Sequence, residues 1–571
     1  MNAERLLAHF ERISEAPGAI ARLRRFILDL AVRGKLVEQD PEDEPAEELL
    51  GRILELKIRS TGKLPKSNSQ MIDRLFDDEP FAIPDSWTWV VLGQITDLIT
   101  SGSRDWAKHY SNSGAIFVRM GNLVKCDYRL RLDSIQHVSP PAGGEGTRTR
   151  LEAWDVLVSI TGDVGMLGLI PEGFGEAYIN QHTALARPCF LLKGRYLPEF
   201  LRSDFAQNQF QEPQRGIKNS FRLSDLSAIV VPLPPLAEQQ RIVAKVDELM
   251  ALCDQLEAAR QQRQQGRERL VAATLHRLNQ PAEDPASFRK DASFALQVLP
   301  SLTTTSAQIK QLRQTILNLA VRGKLVEQDP EDEPAEELSR QISLERKWLV
   351  KTGAIPNKKP AVRDPARLME DLPINWDQVA LGDLCNLVTS GSRGWAEYYS
   401  ETGVGFIRAQ NIRFGRLLLG DMACVQLPPN SEGSRTRVEQ NDLFVVITGA
   451  GVTNPALLDQ DVGEAYVSQH VGLIRPTDKS LSLWLLLCLM APAGGRDELV
   501  QRAYGSGKPG LNLDNIRSLT IPLPPLAEQH RIVDKVDELM ALCDQLEQQL
   551  SQADQQRRRL LEAVLAEALG G

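Results

Sequence analysis

The sequence predicts two tandem repeats related by pseudo-twofold symmetry, each an α/β globular domain followed by a long α-helix. Three observations predict it. Residues 30–49, LAVRGKLVEQDPEDEPAEEL, return letter for letter at 319–338. PLPPLAEQ (232–239) returns at 522–529, and KVDELMALCDQLE (245–257) at 535–547. In both copies the hydrophobic pattern changes at the same point, from short strand-like runs to a helical seam. The offset of 289 residues is far longer than the roughly 20–50 residues of a solenoid repeat.

The elements follow in order. Residues 18–33 and 306–322 read as helices stopped by Gly34 and Gly323. The stretch EQDPEDEPAEE, at 38–48 and 327–337, holds seven carboxylates in eleven residues. It would repel DNA, so it is expected to face solvent or a basic protein partner at a helix entry, where acids are favoured. STGKLPKSNSQ (60–70) and KTGAIPNKKPAVRDPAR (351–367) have linker composition. Segments 81–235 and 371–525 carry short β-branched runs such as DVLVSITG, broken by Gly, Pro, Ser and Asn. After each PLPPLAEQ, apolar residues fall at spacings of four and three: Ile242, Val246, Leu249, Cys253 and Leu256, then Ile532, Val536, Leu539, Cys543 and Leu546. Those are a and d positions of a coiled-coil seam; an amphipathic helix packed on its own domain fits the same stripe. A helix from about 236 to 278 spans ~60 Å at 1.5 Å per residue. QPAEDPAS (280–287) is expected to join the repeats. The expected segments are therefore 1–80 (helical), 81–235 (globule), 236–370 (long helix and linker), 371–525 (globule) and 526–571 (long helix).

Composition bounds the class. The chain has 571 residues, 42% hydrophobic and 25% charged, which argues against a disordered or fibrous protein. The longest apolar run, Leu481 to Met490, is about half the ~20 residues of a membrane helix. The N-terminus lacks a secretory pattern, and seven cysteines without a CxxC pair argue against disulfide or zinc frameworks. A cytoplasmic location is expected. The net charge of −9 excludes an overall polycation, though not a local DNA-binding face.

Enzyme motifs are missing. GSGKPG (505–510) imitates a phosphate loop, but Pro509 stands where the hydroxyl belongs and Arg502 where the first Gly belongs. No dinucleotide-type Gly loop, HExxH or GxSxG occurs. His182 and His470, each after a Gln, read as structural hydrogen-bonding residues, and Asp155 and Asp442 as turn residues. No catalytic, metal or cofactor site is expected in this chain.

Recognition has better material, because reading DNA needs Arg, Lys, Asn, Gln and hydroxyl donors held near base edges and phosphates. The first globule offers Ser101, Ser103, Arg104, Arg119, Asn122, Arg148, Arg150 and Lys218 on Gly/Ser-rich stretches. The second offers Ser390, Ser392, Arg393, Arg408, Asn411, Arg435, Arg437 and Lys508. Residues 81–235 hold 15 basic and 15 acidic side chains, so a DNA face requires segregation of charge in space.

Several motifs resemble the specificity subunit of type I restriction-modification systems, over nearly the whole chain. IPDSWTWVVLG and LPINWDQVALG open the globules; DVLVSITG and DLFVVITG, then GEAYINQH and GEAYVSQH, lie inside them. IVVPLPPLAEQQRIVAKVDEL and LTIPLPPLAEQHRIVDKVDEL close them. GSGKPGLNLDNI is nearer to the family's pattern than RGIKNSFRLSDL, which makes the role of Lys508 firmer than that of Lys218. The resemblance implies that each globule is a target-recognition domain reading half of a bipartite double-stranded DNA site. It implies long helices paired as an antiparallel coiled coil, which sets the separation of the globules. It further implies docking of two modification (methyltransferase) subunits and of restriction/translocase subunits, with S-adenosylmethionine bound by the methyltransferases. Residues 1–34, aligning with 290–323, would supply the C-terminal helix with its companion. Because TSGSR, Trp106/Trp395 and the RTR arginines recur, related half-sites are expected. The alternative is a non-catalytic assembly scaffold whose globules bind proteins.

Overall fold

The computed structural model describes residues 15–61, 80–104, 106–140, 146–211, 220–279, 292, 294–295, 298, 302–357, 359–363, 367–391, 394–427, 435–503 and 510–570. The linkers expected at 60–70 and 280–287 lie mostly or wholly outside these residues. The chain divides into two compact units, Met1–Gln262 with Asp554–Gly571, and Arg263–Ala553. The division therefore falls inside both long helices.

In the first unit, α1 (Ala19–Val32) buries Ile20, Ile27, Leu28, Ala31 and Val32. It stops at Gly34, whose φ of 67° is left-handed, and the Lys35 N–H reaches back to the Leu30 carbonyl at 2.9 Å. This is a Schellman closure, which glycine adopts without Cβ strain. A side chain there would also stand 2.4 Å from Pro84. Six of the seven carboxylates of the acidic stretch are exposed, as expected, and Asp43 is the exception. Asp43 does not face solvent: it binds Arg241 through both carboxylate oxygens at 2.6 and 3.2 Å. Gln39 donates to Glu238 at 2.6 Å. This strap leads into α2 (Ala46–Thr61), with Glu47 and Glu48 in its first turn.

The first globule contains β1 (Thr88–Val91), β2 (Thr96–Ser101), β3 (Tyr110–Ser111), β4 (Ala115–Val118), β5 (Gln136–Val138), β6 (Val156–Ser159), β7 (Leu167–Leu169), β8 (Ala177–Ile179), β9 (Thr183–Pro188) and β10 (Val230–Leu233). One four-stranded sheet has the order β2-β9-β6-β7, the other β3-β5-β4-β8, and β1 pairs with β10. All pairs are antiparallel except β4 with β8. Every residue of β6 is buried, which explains the unbroken apolar run in its sequence. A short helix α3 (Tyr196–Arg202) packs beneath. From β10 the chain passes directly into the long helix α4 (Leu236–Asn279). Its 44 residues extend ~66 Å.

The expected seam is buried at Ile242, Val246 and Cys253, with Leu249 and Leu256 half-buried, in one core with the apolar face of α1. Arg24 of α1 binds Asp254 and Glu257, while Arg260 donates to the carbonyl of Ala16. Residue numbers rise on one helix as they fall on the other, so α1 and the first half of α4 are antiparallel. The end of the chain returns to this unit: Leu561 is buried with Ala16 and Ala19, and Arg22 binds Glu562 at 2.9 Å. The C-terminal helix thus has its expected companion.

The second unit repeats the plan with α5 (Ser306–Val321), α6 (Ala335–Lys351), β11 (Asp377–Ala380), β12 (Cys385–Ser390), β13 (Tyr399–Ser400), β14 (Val404–Ile407), β15 (Ile412–Arg413), β16 (Arg416–Leu417), β17 (Ala423–Val425), β18 (Leu443–Val446), β19 (Pro455–Leu457), β20 (Ala465–Val467), β21 (Val471–Pro476), α7 (Ser482–Met490), β22 (Thr520–Leu523) and the long helix α8 (Leu526–Gly570). Its sheets have the orders β12-β21-β18-β19 and β13-β17-β14-β20, with the small ribbons β15-β16 and β11-β22. The apolar run 481–490 is the buried helix α7, not a span. Ile532, Val536 and Cys543 are buried, and Leu539 and Leu546 half-buried, in the core shared with α5.

This unit also shows the direction of the long helices. Arg313 binds Asp544 and Glu547 and Gln328 binds Glu528, so α5 runs antiparallel to α8. Thr304 meets Gln264 at 3.4 Å and Thr315 meets Asn279 at 3.0 Å, so α5 runs parallel to the end of α4. The two long helices accordingly pass α5 in opposite directions.

Candidate nucleic-acid interface

Antiparallel register brings three distant motifs together. Ser101, the last residue of β2, lies opposite Ala184 of β9, and Ser159, the last of β6, lies opposite Thr183. The chain leaving β2, the chain leaving β6 and the chain entering β9 therefore share one end of the sheet. Ser101, Gly102, Ser103, Arg104, Thr161, Gln181 and His182 line an open cleft of about 550 Å³ there. Gly102 is required by close approach: a methyl group on it would stand 2.1 Å from the Ile179 carbonyl oxygen. His182 is exposed, its ring held between the Thr161 hydroxyl (2.8 Å) and the Gln181 amide (3.0 Å). The hydrogen-bonding role expected of His182 stands, but Thr161, Gln181 and His182 also belong to the cleft wall. Their recurrence as ITG and QH in both halves was the available signal.

The second unit has the same construction. Gly391 abuts the Val467 carbonyl, and Thr448 and Gln469 hold His470 at 2.5 and 3.2 Å. Ser390 ends β12 opposite Gly472. Ser392, Arg393, Lys218 and Lys508 lie outside the described residues. The described residues beside the lysines are anchored at the clefts: Ser220 bridges Thr161, and Gly510 bridges Thr448.

Arg148 and Arg150 are exposed at a turn that flanks the buried Trp106. A methyl group on Gly146 would stand 2.8 Å from the Trp106 ring. Trp106 packs on Phe117 and Tyr178, and Trp395 on Phe406 and Tyr466. Trp106 is thus a platform beneath the first RTR turn, and in the second copy Tyr466, which packs on Trp395, bridges Arg437. Arg435 and Arg437 are likewise exposed. Among the described residues, Arg104, Arg148 and Arg435 form no ion pair with an acidic side chain. Arg187 and Arg475 are the opposite case, clamped on the buried Asp155 and Asp442 through both carboxylate oxygens. Burial pushes the Asp155 carboxyl above its ordinary range, although Arg187 pulls the other way. Asp155 also accepts the Glu152 N–H, so it locks a strand as well as a turn. Exposed guanidinium groups, hydroxyls and tight glycine backbone suit the donor pattern that phosphate oxygens require.

Two expected contacts are corrected. Asn122 and Asn411 are buried. The Asn122 side-chain oxygen accepts the Arg119 N–H, and its amide nitrogen donates to the carbonyls of Arg131 and Ser134. Asn411 does the same with Arg408, Leu418 and Asp421. Both amide N–H donors and one lone pair of each oxygen hold a turn, which leaves no side-chain donor for a base. Arg119 and Arg408 are half-buried, and Arg408 donates to the Asp421 carbonyl at 3.2 Å.

A sequence model of the type I restriction modification DNA specificity domain matches residues 84–264 and again 373–553. The chain belongs to this family. Within it, the chain is similar to the type I restriction enzyme EcoEI specificity subunit of Escherichia coli, 30% identical over 96% of this chain and 94% of that one. It is 28% identical to the EcoAI specificity subunit of Escherichia coli, again over 96% and 94%. A crystal structure of the HsdS subunit from Thermoanaerobacter tengcongensis aligns with a TM-score of 0.44 at 20% identity, over 86% of this chain and 99% of that one. Both specificity-domain matches end inside a long helix, so the family's domain includes the helical start as well as the globule. Among the described residues of this specificity-family chain, no group of His, Cys, Asp and Glu is arranged to hold a metal. No described helix is long and apolar enough to cross a membrane.

Proposed function

We propose that this chain is the DNA sequence-specificity subunit of a type I restriction-modification complex. Each globule reads one half of a bipartite double-stranded DNA target. The helices hold the globules apart and dock two modification subunits, which bind S-adenosylmethionine and carry out the methylation. Restriction/translocase subunits join the same assembly, in the cytoplasm, and the chain itself performs no chemistry. The observation that carries this reading is the duplicated specificity domain, with the same Thr–His–Gln hydrogen bonding at the end of the sheet and exposed arginines in each copy. The scaffold reading is not favoured, because the family is defined by DNA specificity.

The test is selection from random duplexes by the protein co-purified with its modification partner, followed by sequencing of the bound DNA. Two short half-sites at fixed separation are expected. No enrichment by an intact complex would overturn the assignment.

A further inference from the structure

At matching places in the sequence repeat, the two globules carry two unlike loops. Met120 bears on Gly162, which follows Thr161 of the first cleft, with its methyl 3.6 Å from where a Cβ would stand. The buried Asn122 then frames a loop, its backbone carbonyl accepting the Arg131 N–H at 2.8 Å. In the second globule the Asn411 carbonyl accepts the Leu418 N–H at 2.7 Å. The same asparagine frame thus encloses eight residues in one copy, LVKCDYRL (123–130), and six in the other, IRFGRL (412–417). Lys125 and Arg129 are exposed on the first loop, and Arg413 and Arg416 on the second. Among the described residues none of the four forms an ion pair.

The supports differ as well. Tyr128 turns inward from the first loop and donates to Glu199 at 2.7 Å. Arg195 donates to the Tyr128 oxygen at 2.7 Å and binds both carboxylate oxygens of Asp247 on the long helix. The second copy has the same helical sequence, but Leu483 stands at the position of Arg195, 288 residues on. Among the described residues its Asp537 has no cationic partner. The second loop rests on its own globule instead: the Gly415 N–H bonds the Pro455 carbonyl at 2.9 Å, and Arg496 lies over Phe414.

We infer that the asparagine-framed loops, 123–130 and 412–417, are the elements that make the two half-sites differ, and that Tyr128, Arg195 and Asp247 position the first loop on the long helix. The inference rests on the DNA-recognition reading above. The sheet ends that carry the repeated Thr, Gln and His would contact what both half-sites have in common, beginning with the sugar-phosphate backbone. The loops carry different cations, at different reach, in each globule. Tyr128, Arg195 and Asp247 are positioning residues.

The experiment sequences the DNA selected by the assembled complex for wild type and four variants. K125A with R129A is expected to lower discrimination at one or more bases of one half-site by about tenfold or more, leaving the other half-site unchanged. R413A with R416A is expected to affect the opposite half-site. Tyr128→Phe keeps the ring but removes the hydroxyl, and is expected to weaken the same half-site as K125A with R129A. Asp537→Asn is expected to change neither. A wild-type complex with no bipartite target sinks the functional assignment itself. A wild-type target that the first two double variants leave unchanged, or change equally in both halves, overturns the loop inference alone. An effect of Asp537→Asn equal to that of Tyr128→Phe overturns the positioning role.

Discussion

Trp87 donates its indole N–H to Glu238 at 2.8 Å, and Trp376 repeats the bond to Glu528 at 3.0 Å. Each bond ties the opening of a globule to the first turn of the helix that leaves it. Gln39 and Gln328, from the twenty-residue identity, share the same carboxylates. Three separate repeated motifs therefore meet at one buried acid, which accounts physically for their joint recurrence.

Removing that acceptor leaves buried donors unpaired. Glu238→Ala is expected to lower unfolding stability by about 1–3 kcal/mol, read from denaturant midpoints at constant slope. Glu238→Gln is expected to cost less, because its amide oxygen still accepts the indole N–H.

The same pair has a pH signature. Burial pushes the Glu238 carboxyl above its ordinary range, against the pull of Trp87 and Gln39. A raised folded-state value favours folding in acid, and that contribution fades as pH rises from about 4 through the folded value. Between about pH 4 and 7, wild type should therefore lose stability relative to Glu238→Gln. An equal change in both proteins would refute the assignment.

Arg104 and Arg148 are exposed and, among the described residues, form no ion pair, so alanine at either should leave stability within about 0.5 kcal/mol. Each should weaken DNA binding by the assembled complex and reduce the salt slope by about one. A salt titration of affinity decides it.

Asn122→Ala should behave oppositely. It removes the acceptor for Arg119 and the donor to two carbonyls, at an expected cost of about 1–3 kcal/mol in stability. A variant of wild-type stability that had lost preference at one base would restore Asn122 as a direct reader.

Leu249 and Leu539 are half-buried on the long helices. Leu→Ala at either is expected to cost about 2 kcal/mol, the lower end for core leucines. Assembly with modification subunits should loosen before sequence preference changes, as co-purification yield compared with the selected DNA would show.

Much of the fold was legible because it rests on local pattern. The seam from Ile242 to Leu256 demanded a helix, and Leu236–Asn279 is one. Gly34 ended its helix because only a residue at ease with positive φ closes that turn. The site was legible in part. Ser101 and Arg104 line the cleft and Arg148 and Arg150 are exposed, but the sequence could not distinguish exposed Arg148 from clamped Arg187. It also could not distinguish a reading asparagine from Asn122, whose bonds are all internal. Such distinctions depend on which partners lie across the fold, and Asp43 found Arg241 almost two hundred residues away.

By itself, the sequence determined the duplication, the helix–globule–helix order, the long helices and the family, because each is written in identity or short-range periodicity. Only the tertiary structure decided that the unit boundary falls within the long helices and that Thr161, Gln181 and His182 join Ser101–Arg104 in one cleft. It alone decided that the asparagines frame unlike loops. The physical reason is register: hydrogen bonding between β2, β9 and β6 aligns residues some eighty positions apart, and no local pattern encodes which strand will lie beside which.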